Sequence, residues 1–273
     1  MEVLVYQSIQ GRIARRGSAA SLSAASASLT PGTYTTLRTY GGDRVLSLED
    51  HVARLNDPLR TMKGGPPPLR LADLRALVAT AIREAGHAES RLRVTYAPPD
   101  LFVAVETFRP LPEALYEAGV WCVTTPLRRQ NPHAKNTLFL DVAGAVYDAL
   151  PPGAHEALMV AEDGSLLEGL SSNFFAVVRG VLHTEEDRVL PGLTRRLVLE
   201  ATQGLLPCVP RAIRLEEVTE ASECLLTSAS REVLAVVRVD DVVVGDGRPG
   251  PVGLELLRRY RDTVWREARS VLD

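Results

Sequence analysis

Leu167-Glu168-Gly169-Leu170-Ser171-Ser172-Asn173-Phe174-Phe175 places one acid and a polar Ser-Ser-Asn turn between two apolar stretches. On its N-terminal side, Glu156–Ala161 and Ser165–Leu167 read as a hairpin around Glu162-Asp163-Gly164. On its C-terminal side, Phe174–Val178 and Val181–Thr184 flank a second turn at Arg179-Gly180. Val189-Leu190-Pro191-Gly192-Leu193-Thr194-Arg195 then leads into a helix expected from about Thr194 to Gln203, with Gly204 after it. Cys224–Thr227 and Val233–Val239 read as further strands, and Leu254–Arg269 as a closing amphipathic helix. Hairpins mixed irregularly with helices argue against a purely parallel sheet.

The N-terminal part has its own pattern. Val3–Tyr6 and Tyr34–Tyr40 are rich in β-branched and aromatic residues and read as strands. Ser47-Leu48-Glu49-Asp50 opens a helix, a Ser N-cap with an acid three residues on, carrying Val52, Leu55 and Leu59 and fading by Gly64. A second helix spans Leu71 to Ala85, with Leu71, Leu74, Leu77, Val78, Ala81 and Ile82 at helical spacing and Gly86 at its end. Arg91–Tyr96, Leu101–Thr107 and Val120–Thr125 read as strands. The expected organisation is a small α+β domain over residues 1–125, a polar linker with two prolines over 126–134, and a large domain over 135–273 that begins with a helix at Leu138–Leu150.

Composition sets the outer bounds. A chain of 273 residues with 45% hydrophobic content buries an ordinary core. A net charge of -3 and a pI of about 6.0 supply no basic field for nucleic acid. Arg128-Arg129, Arg195-Arg196 and Arg258-Arg259 are not interleaved with aromatics, as a single-strand groove would be. Cys122, Cys208 and Cys224 have neither metal-ligand nor redox spacing, which leads us to expect no metal and a reducing, cytoplasmic compartment. No apolar run reaches membrane-span length, and the Ser- and Ala-rich stretch 17–29 lacks the apolar core of a signal peptide.

Only two of the 31 basic residues are lysines, Lys63 and Lys135. Arginine serves wherever a plain positive charge is wanted, so a retained lysine draws attention to amine chemistry. A lysine amine can lose its proton and form a Schiff base, which a guanidinium cannot do. Lys63 lies in Met62-Lys63-Gly64-Gly65-Pro66-Pro67-Pro68, a loop by composition. Lys135 lies in Asn131-Pro132-His133-Ala134-Lys135-Asn136-Thr137, ahead of an apolar helix, with Arg128, Arg129 and His133 near in sequence to lower its pKa. By composition alone, both are equally surface residues.

Four segments gain meaning together: Leu48-Glu49-Asp50-His51-Val52-Ala53-Arg54-Leu55, Lys135, the Glu168 to Phe175 run, and the Leu190 to Arg195 run. Singly, each has an ordinary reading as a solvated helix face, a turn or a helix start. In this order and spacing the chain resembles the class IV aminotransferases, the fold-type IV pyridoxal phosphate enzymes, from about Pro31 to Pro251. That group includes branched-chain and D-amino acid aminotransferases and aminodeoxychorismate lyases. The resemblance implies a two-domain fold, a small N-terminal α+β domain and a larger C-terminal pseudo-barrel α/β domain. It implies pyridoxal 5'-phosphate as cofactor and a homodimer as the working unit. It makes Lys135 the Schiff-base lysine, Glu168 the partner of the pyridine nitrogen and Arg54 a phosphate ligand. Ser172, Asn173, Leu193, Thr194 and Ser228 complete the implied cofactor set. The chemistry agrees: a carboxylate that keeps the pyridine nitrogen protonated strengthens the electron sink. An arginine fork and free N–H groups at a helix start bind phosphate.

Three positions depart from the family pattern. Thr227-Ser228-Ala229-Ser230 stands where many members have Thr-Gly-Thr-Ala, so Ala229 replaces a phosphate-binding threonine. Phe139 is the nearest aromatic after the lysine, where many members have a tyrosine, and Leu170 takes the place of a hydroxyl residue after Glu-Gly.

On the substrate side, Gly32-Thr33-Tyr34-Thr35-Thr36-Leu37-Arg38-Thr39-Tyr40 aligns with the Phe-Glu-Gly-Ile-Arg segment of branched-chain enzymes, while its Thr-Thr pair looks more like the lyases. Tyr34, Arg38, Arg91 and Arg93 are the substrate candidates. The two arginines at 91 and 93 share a strand face, and each also reads as plain surface charge. The expected reaction is amino transfer between an amino acid and a 2-oxo acid. The alternative is the lyase that makes 4-aminobenzoate and pyruvate from aminodeoxychorismate; a non-catalytic, ligand-binding descendant is a third reading.

Overall fold

The computed structural model describes residues 2–59 and 65–273. Lys63 lies outside the described residues. The chain forms two compact units, one built from Met1–Arg109, Ala134–Val142 and Val264–Asp273, the other from Pro110–His133 and Ala143–Thr263. These limits differ from the expected division at 1–125, 126–134 and 135–273. The strand at 120–125 pairs within the second unit, and the chain returns twice to the first.

The first unit contains β1 (Val3–Ile9), β2 (Arg12–Ala19), α1 (Leu22–Ala27), β3 (Thr33–Arg38), β4 (Arg44–Val45), α2 (Leu48–Asn56), α3 (Leu71–Ala85), β5 (Ser90–Ala97) and β6 (Asp100–Thr107). Five strands make an antiparallel sheet in the order β2-β1-β6-β5-β3. Leu37, Leu92, Val94, Val103 and Val105 form one face with Leu48 and Leu55 of α2 and Leu74, Leu77 and Val78 of α3. The other face packs Val3, Val5 and Ala104 against Leu22 and Ala25 of α1. Because side chains alternate along a strand, Tyr34, Arg38, Arg91 and Arg93 share this second face.

α2 begins where expected but is not capped as expected. Ser47 sits at φ 48, in the left-handed region, and its side chain makes no cap hydrogen bond. A side-chain N-cap needs an extended backbone. Here the Ser47 carbonyl instead accepts from the N–H groups of Asp50 (3.0 Å) and His51 (3.3 Å). α3 matches its expected bounds, and Gly86 closes it at φ 63 with its N–H on the Ile82 carbonyl.

The second unit contains α4 (Glu113–Ala118), β7 (Val120–Thr125), β8 (Ala154–Val160), β9 (Leu166–Gly169), β10 (Asn173–Val178), β11 (Val181–His183), α5 (Leu193–Ala201), β12 (Cys208–Val209), β13 (Ala221–Ser228), β14 (Glu232–Val239) and β15 (Val242–Val243). Two helices have parts in both units: α6 (Leu138–Asp148) and α7 (Pro251–Glu267). Both expected hairpins form, β8 with β9 and β10 with β11. The strands run β10-β13-β14-β7-β8-β9, and β9 pairs back to β10 through Glu168 and Asn173. This closes six strands into a barrel, and Leu158, Phe175, Leu225, Leu226 and Leu234 on its strands are fully buried. β7 runs parallel to both β8 and β14, and the other barrel pairs are antiparallel. The fold is therefore mixed α+β with a closed pseudo-barrel.

At the C-terminal end, β16 (Arg269–Ser270) pairs with β4, and Val271 enters the core of the first unit. Among the described residues no helix is long and apolar enough to cross a membrane.

Candidate functional site

In the first unit, Lys135 is fixed by backbone pairing to the start of β3. The Tyr34 N–H donates to the Lys135 carbonyl at 2.8 Å, and the Thr137 N–H donates to the Gly32 carbonyl at 2.9 Å. The Gly32 N–H in turn donates to the Thr137 hydroxyl at 3.1 Å. Gly32 has no room for a side chain, since a Cβ there would lie 2.4 Å from the Tyr96 carbonyl oxygen. The Lys135 amine lies over the Tyr34 ring, 4.9 Å from its centroid.

His51, one turn before Arg54 on α2, reports the charge around this lysine. Its Nδ1 is 2.6 Å from the Thr35 hydroxyl. Burial pushes its pKa down to about 3, helped by the positive charges of Arg54 and Lys135. A neutral imidazole thus lies near both cations, and two residues 81 positions apart in sequence act on one ring.

In the second unit, Glu168 ends β9 with only 2% of its side chain exposed. Its Oε1 accepts from Arg129 Nε at 2.9 Å; its Oε2 accepts from Asn173 Nδ2 at 2.9 Å and the Leu190 N–H at 3.2 Å. Asn173 also donates to the Leu190 carbonyl at 2.8 Å. One carboxylate and one amide therefore tie the end of β9, the start of β10 and the approach to α5 together. Gly192 completes the fit, because a Cβ there would stand 2.0 Å from Asn173 Oδ1. α5 follows with Gly192 as N-cap, no cap side chain and no acid in its first turn, leaving Leu193 and Thr194 as its first residues. Their N–H groups are the ones a helix start leaves unsatisfied, and Thr194 is buried beside them. Beside Asn173 in the β10–β13 register, the buried Thr227 hydroxyl has no partner among the described residues.

A second buried network supports the 168–173 turn. Glu156, with no exposed side-chain surface, accepts from the Ser171 and Ser172 hydroxyls at 3.2 and 3.1 Å and lies 3.5 Å from Arg231. Arg231 also donates to the Ser171 hydroxyl and to His155 Nε2. A Cβ on Gly169 would meet Ser172 Oγ at 2.3 Å and Glu156 Cγ at 2.8 Å, so the turn can close only on glycine.

The structure thus brings Lys135 and Tyr34 together at the start of β3, places Arg54 in the last turn of α2 acting on the same His51 ring as Lys135, and gathers Glu168, Asn173, Leu193 and Thr194 around the barrel end. Ser172 is engaged with Glu156. The Ser228 hydroxyl accepts from the Arg231 N–H at 3.2 Å and closes its own turn. The substrate candidates separate: Arg38 is sandwiched between the Tyr40 and Phe108 rings at 4.3 and 4.4 Å. Arg91 is ion-paired with Glu106. Arg93 donates to the Leu22 carbonyl and Ser26 hydroxyl of α1. Arg128 and Arg129, expected to act on Lys135, have carboxylate partners of their own in Glu162 and Glu168. The sequence reading missed Arg129 as the partner of Glu168, and also missed the Glu156–Arg231 network. An arginine 39 residues from its carboxylate leaves no spacing signal.

The second unit holds groups that suit a phosphorylated pyridine: a buried, hydrogen-bonded carboxylate, an open helix start and an unpartnered hydroxyl. The family model described as amino-transferase class IV matches residues 32–239. A Methanocaldococcus jannaschii protein provisionally named a branched-chain-amino-acid aminotransferase is 26% identical over 86% of this chain and 88% of its own length. The Arabidopsis thaliana branched-chain-amino-acid aminotransferase-like protein 1 is 28% identical over 82% of this chain, a match spanning 44% of that protein. The solved branched-chain aminotransferase of Thermoproteus uzoniensis with norvaline superposes with a TM-score of 0.79, covering 99% of this chain and 100% of its own at 24% identity, which establishes likeness of fold.

Proposed function

This chain belongs to the class IV aminotransferases, and from that premise we propose that it moves an amino group between a branched-chain or related amino acid and a 2-oxo acid. The observation that carries this reading is the family match, which spans Arg54, Lys135, Glu168 and Thr194 in one stretch. The relatives' names favour amino transfer over the lyase reaction. A solved branched-chain amino acid aminotransferase of the same fold carries pyridoxamine 5'-phosphate, in keeping with the cofactor expected here.

Pyridoxal 5'-phosphate, when bound, supplies an aldehyde and an electron-accepting ring. Lys135 would hold it through its amine and, once released, carry a proton to and from the substrate carbon. Glu168 would hold the proton on the pyridine nitrogen, with Arg129 and Asn173 fixing its carboxylate. Arg54, the Leu193 and Thr194 N–H groups and the Ser228 turn would hold the phosphate, with the Thr227 hydroxyl available to add a bond. Ser172, through Glu156, keeps the Glu168 turn in shape. Tyr34, Arg38, Arg91 and Arg93, on one face of the first unit's sheet, are the residues proposed to meet the substrate. Three free cysteines suit a cytoplasmic setting.

The working unit under this reading is a homodimer. α6 is apolar apart from Asp141, Tyr147 and Asp148, yet Leu138 is 63% and Val142 49% exposed, one helical turn apart. Such a stripe suits burial against a second copy.

The direct test is to mix purified protein, cofactor, leucine, valine or isoleucine, and a 2-oxo acid. Stoichiometric exchange of amino group for oxo group supports the assignment. Pyruvate released from aminodeoxychorismate without any 2-oxo acid present would instead make it the lyase.

A further inference from the structure

In the second unit, Leu115, Val120, Trp121, His155, Val237 and Arg238, none of them assigned above to cofactor or substrate, line a cavity of about 410 Å³. That volume lies within the range of small-molecule sites, roughly 300–1,000 Å³. The Arg238 guanidinium carbon stacks over the Trp121 ring, 3.7 Å from its centroid. The Arg238 Nε is buried with no hydrogen-bond partner among the described residues. The neighbouring Arg231, by contrast, donates to Ser171 and His155.

We propose that this cavity is a second binding site, which takes a small flat monocarboxylate on Arg238 with its apolar body against Trp121. A guanidinium fork matches two carboxylate oxygens, and the Arg238 side chain has neither a hydrogen-bond acceptor nor an ion-pair partner among the described residues, its contact being the Trp121 ring. The stacked indole holds the fork in one plane and leaves its edge for the ligand. Leu115, Val120 and Val237 supply apolar walls, and Gly119 and Gly153 at the rim add no polar side chain. The one other titratable group in the lining is His155. Its Nε2 accepts from Arg231, and burial with the Arg231 charge holds its pKa down to about 4. The lining therefore carries a single positive charge at neutral pH, which matches one negative charge rather than two.

The test uses benzoate as the ligand and the cofactor-loaded protein carrying Trp265→Phe, so that Trp121 is the only indole. Benzoate should change Trp121 fluorescence saturably, in the presence of a saturating branched-chain 2-oxo acid as well as without it. Arg238→Met should weaken that binding by about ten- to a hundredfold, the loss of one charge-assisted hydrogen bond. Inorganic phosphate should give no such response. Equal binding by Arg238→Met, displacement by the 2-oxo acid, or an equal phosphate response would each overturn the assignment. Should the Met variant not fold, the Arg238 Nε–H resonance of the otherwise wild-type protein, identified with Arg238→Lys, decides. It should move with benzoate, and a stationary signal refutes the site. No activity is read, so the outcome is independent of the amino-transfer assignment.

Discussion

Arg129 Nε stands 2.9 Å from Glu168 Oε1, and the two side chains are 4% and 2% exposed. A pair this sealed is held by mutual compensation, because an isolated charge at that depth is strongly unfavourable. Arg129 also donates to the Leu170 carbonyl at 3.0 Å, so it clamps both the carboxylate and the turn that follows it.

Arg129→Met leaves the Glu168 charge buried with two neutral donors. The expected loss is about 3–5 kcal/mol of unfolding free energy, the range for breaking one side of a buried pair. Urea unfolding measures it, and a loss below about 1 kcal/mol would show that the pair is not needed for stability.

Glu168→Gln keeps the shape but removes the negative charge, and its amide NH2 must face a donor, either Arg129 or the Asn173 and Leu190 pair. Cofactor should still bind while amino transfer slows by orders of magnitude, since a neutral amide cannot stabilise a pyridinium. Pre-steady-state turnover is the readout, and wild-type rates would remove Glu168 from that role.

Lys135→Ala should abolish both covalent attachment of cofactor and turnover. Borohydride reduction followed by peptide mapping should mark Lys135 in the wild type, and Lys63→Ala should leave that pattern unchanged. Label on Lys63 would refute the assignment.

His51 titrates well below its ordinary range because it is buried near Arg54 and Lys135. A histidine with a lowered folded-state pKa contributes stability above its unfolded pKa of about 6.5, and that stability is lost as pH falls toward about 3. Within that window it contributes about 1.4 kcal/mol of slope per pH unit. Urea midpoints should therefore fall from about pH 6.5 to about pH 4.5, and His51→Gln should flatten part of that fall. Parallel curves for the two proteins would show that the ring protonates freely in the folded state.

Val142→Asp places a charge on the exposed apolar stripe of α6. Sedimentation at micromolar concentration should show wild-type dimer and variant monomer. A wild-type monomer would remove the stripe's assignment as a contact between copies.

Much of this is legible in the chain itself. The helical spacing of Leu74, Leu77, Val78 and Ile82 gives α3 to the residue, because one face meets a core and Gly86 stops it. The turns at Glu162-Asp163-Gly164 and Arg179-Gly180 give both hairpins. β2 escapes such a reading because it is an outer strand, exposed along most of its length, and so carries no alternating apolar signal. α1 escapes it because six residues, five of them Ser or Ala, show little periodicity. In the site, residue types and order point to Lys135, Glu168 and Arg54. The Arg129–Glu168 and Arg231–Glu156 pairs depend on barrel register, which joins residues 39 and 75 apart with no local trace.

Ser270 and Val271 meet β4 and the core of the first unit, with Ser270 Oγ donating to Asp43 at 2.6 Å and the Val271 N–H to the Asp43 carbonyl at 3.2 Å. The Lys135 segment joins the same unit from mid-chain. During synthesis, β4 and the core of this unit therefore wait for Arg269–Val271 to emerge before they are complete. Loop closure over more than two hundred residues makes that step slow compared with local hairpins. A ribosome stalled before Arg269 would display that unit with β4 unpaired by β16.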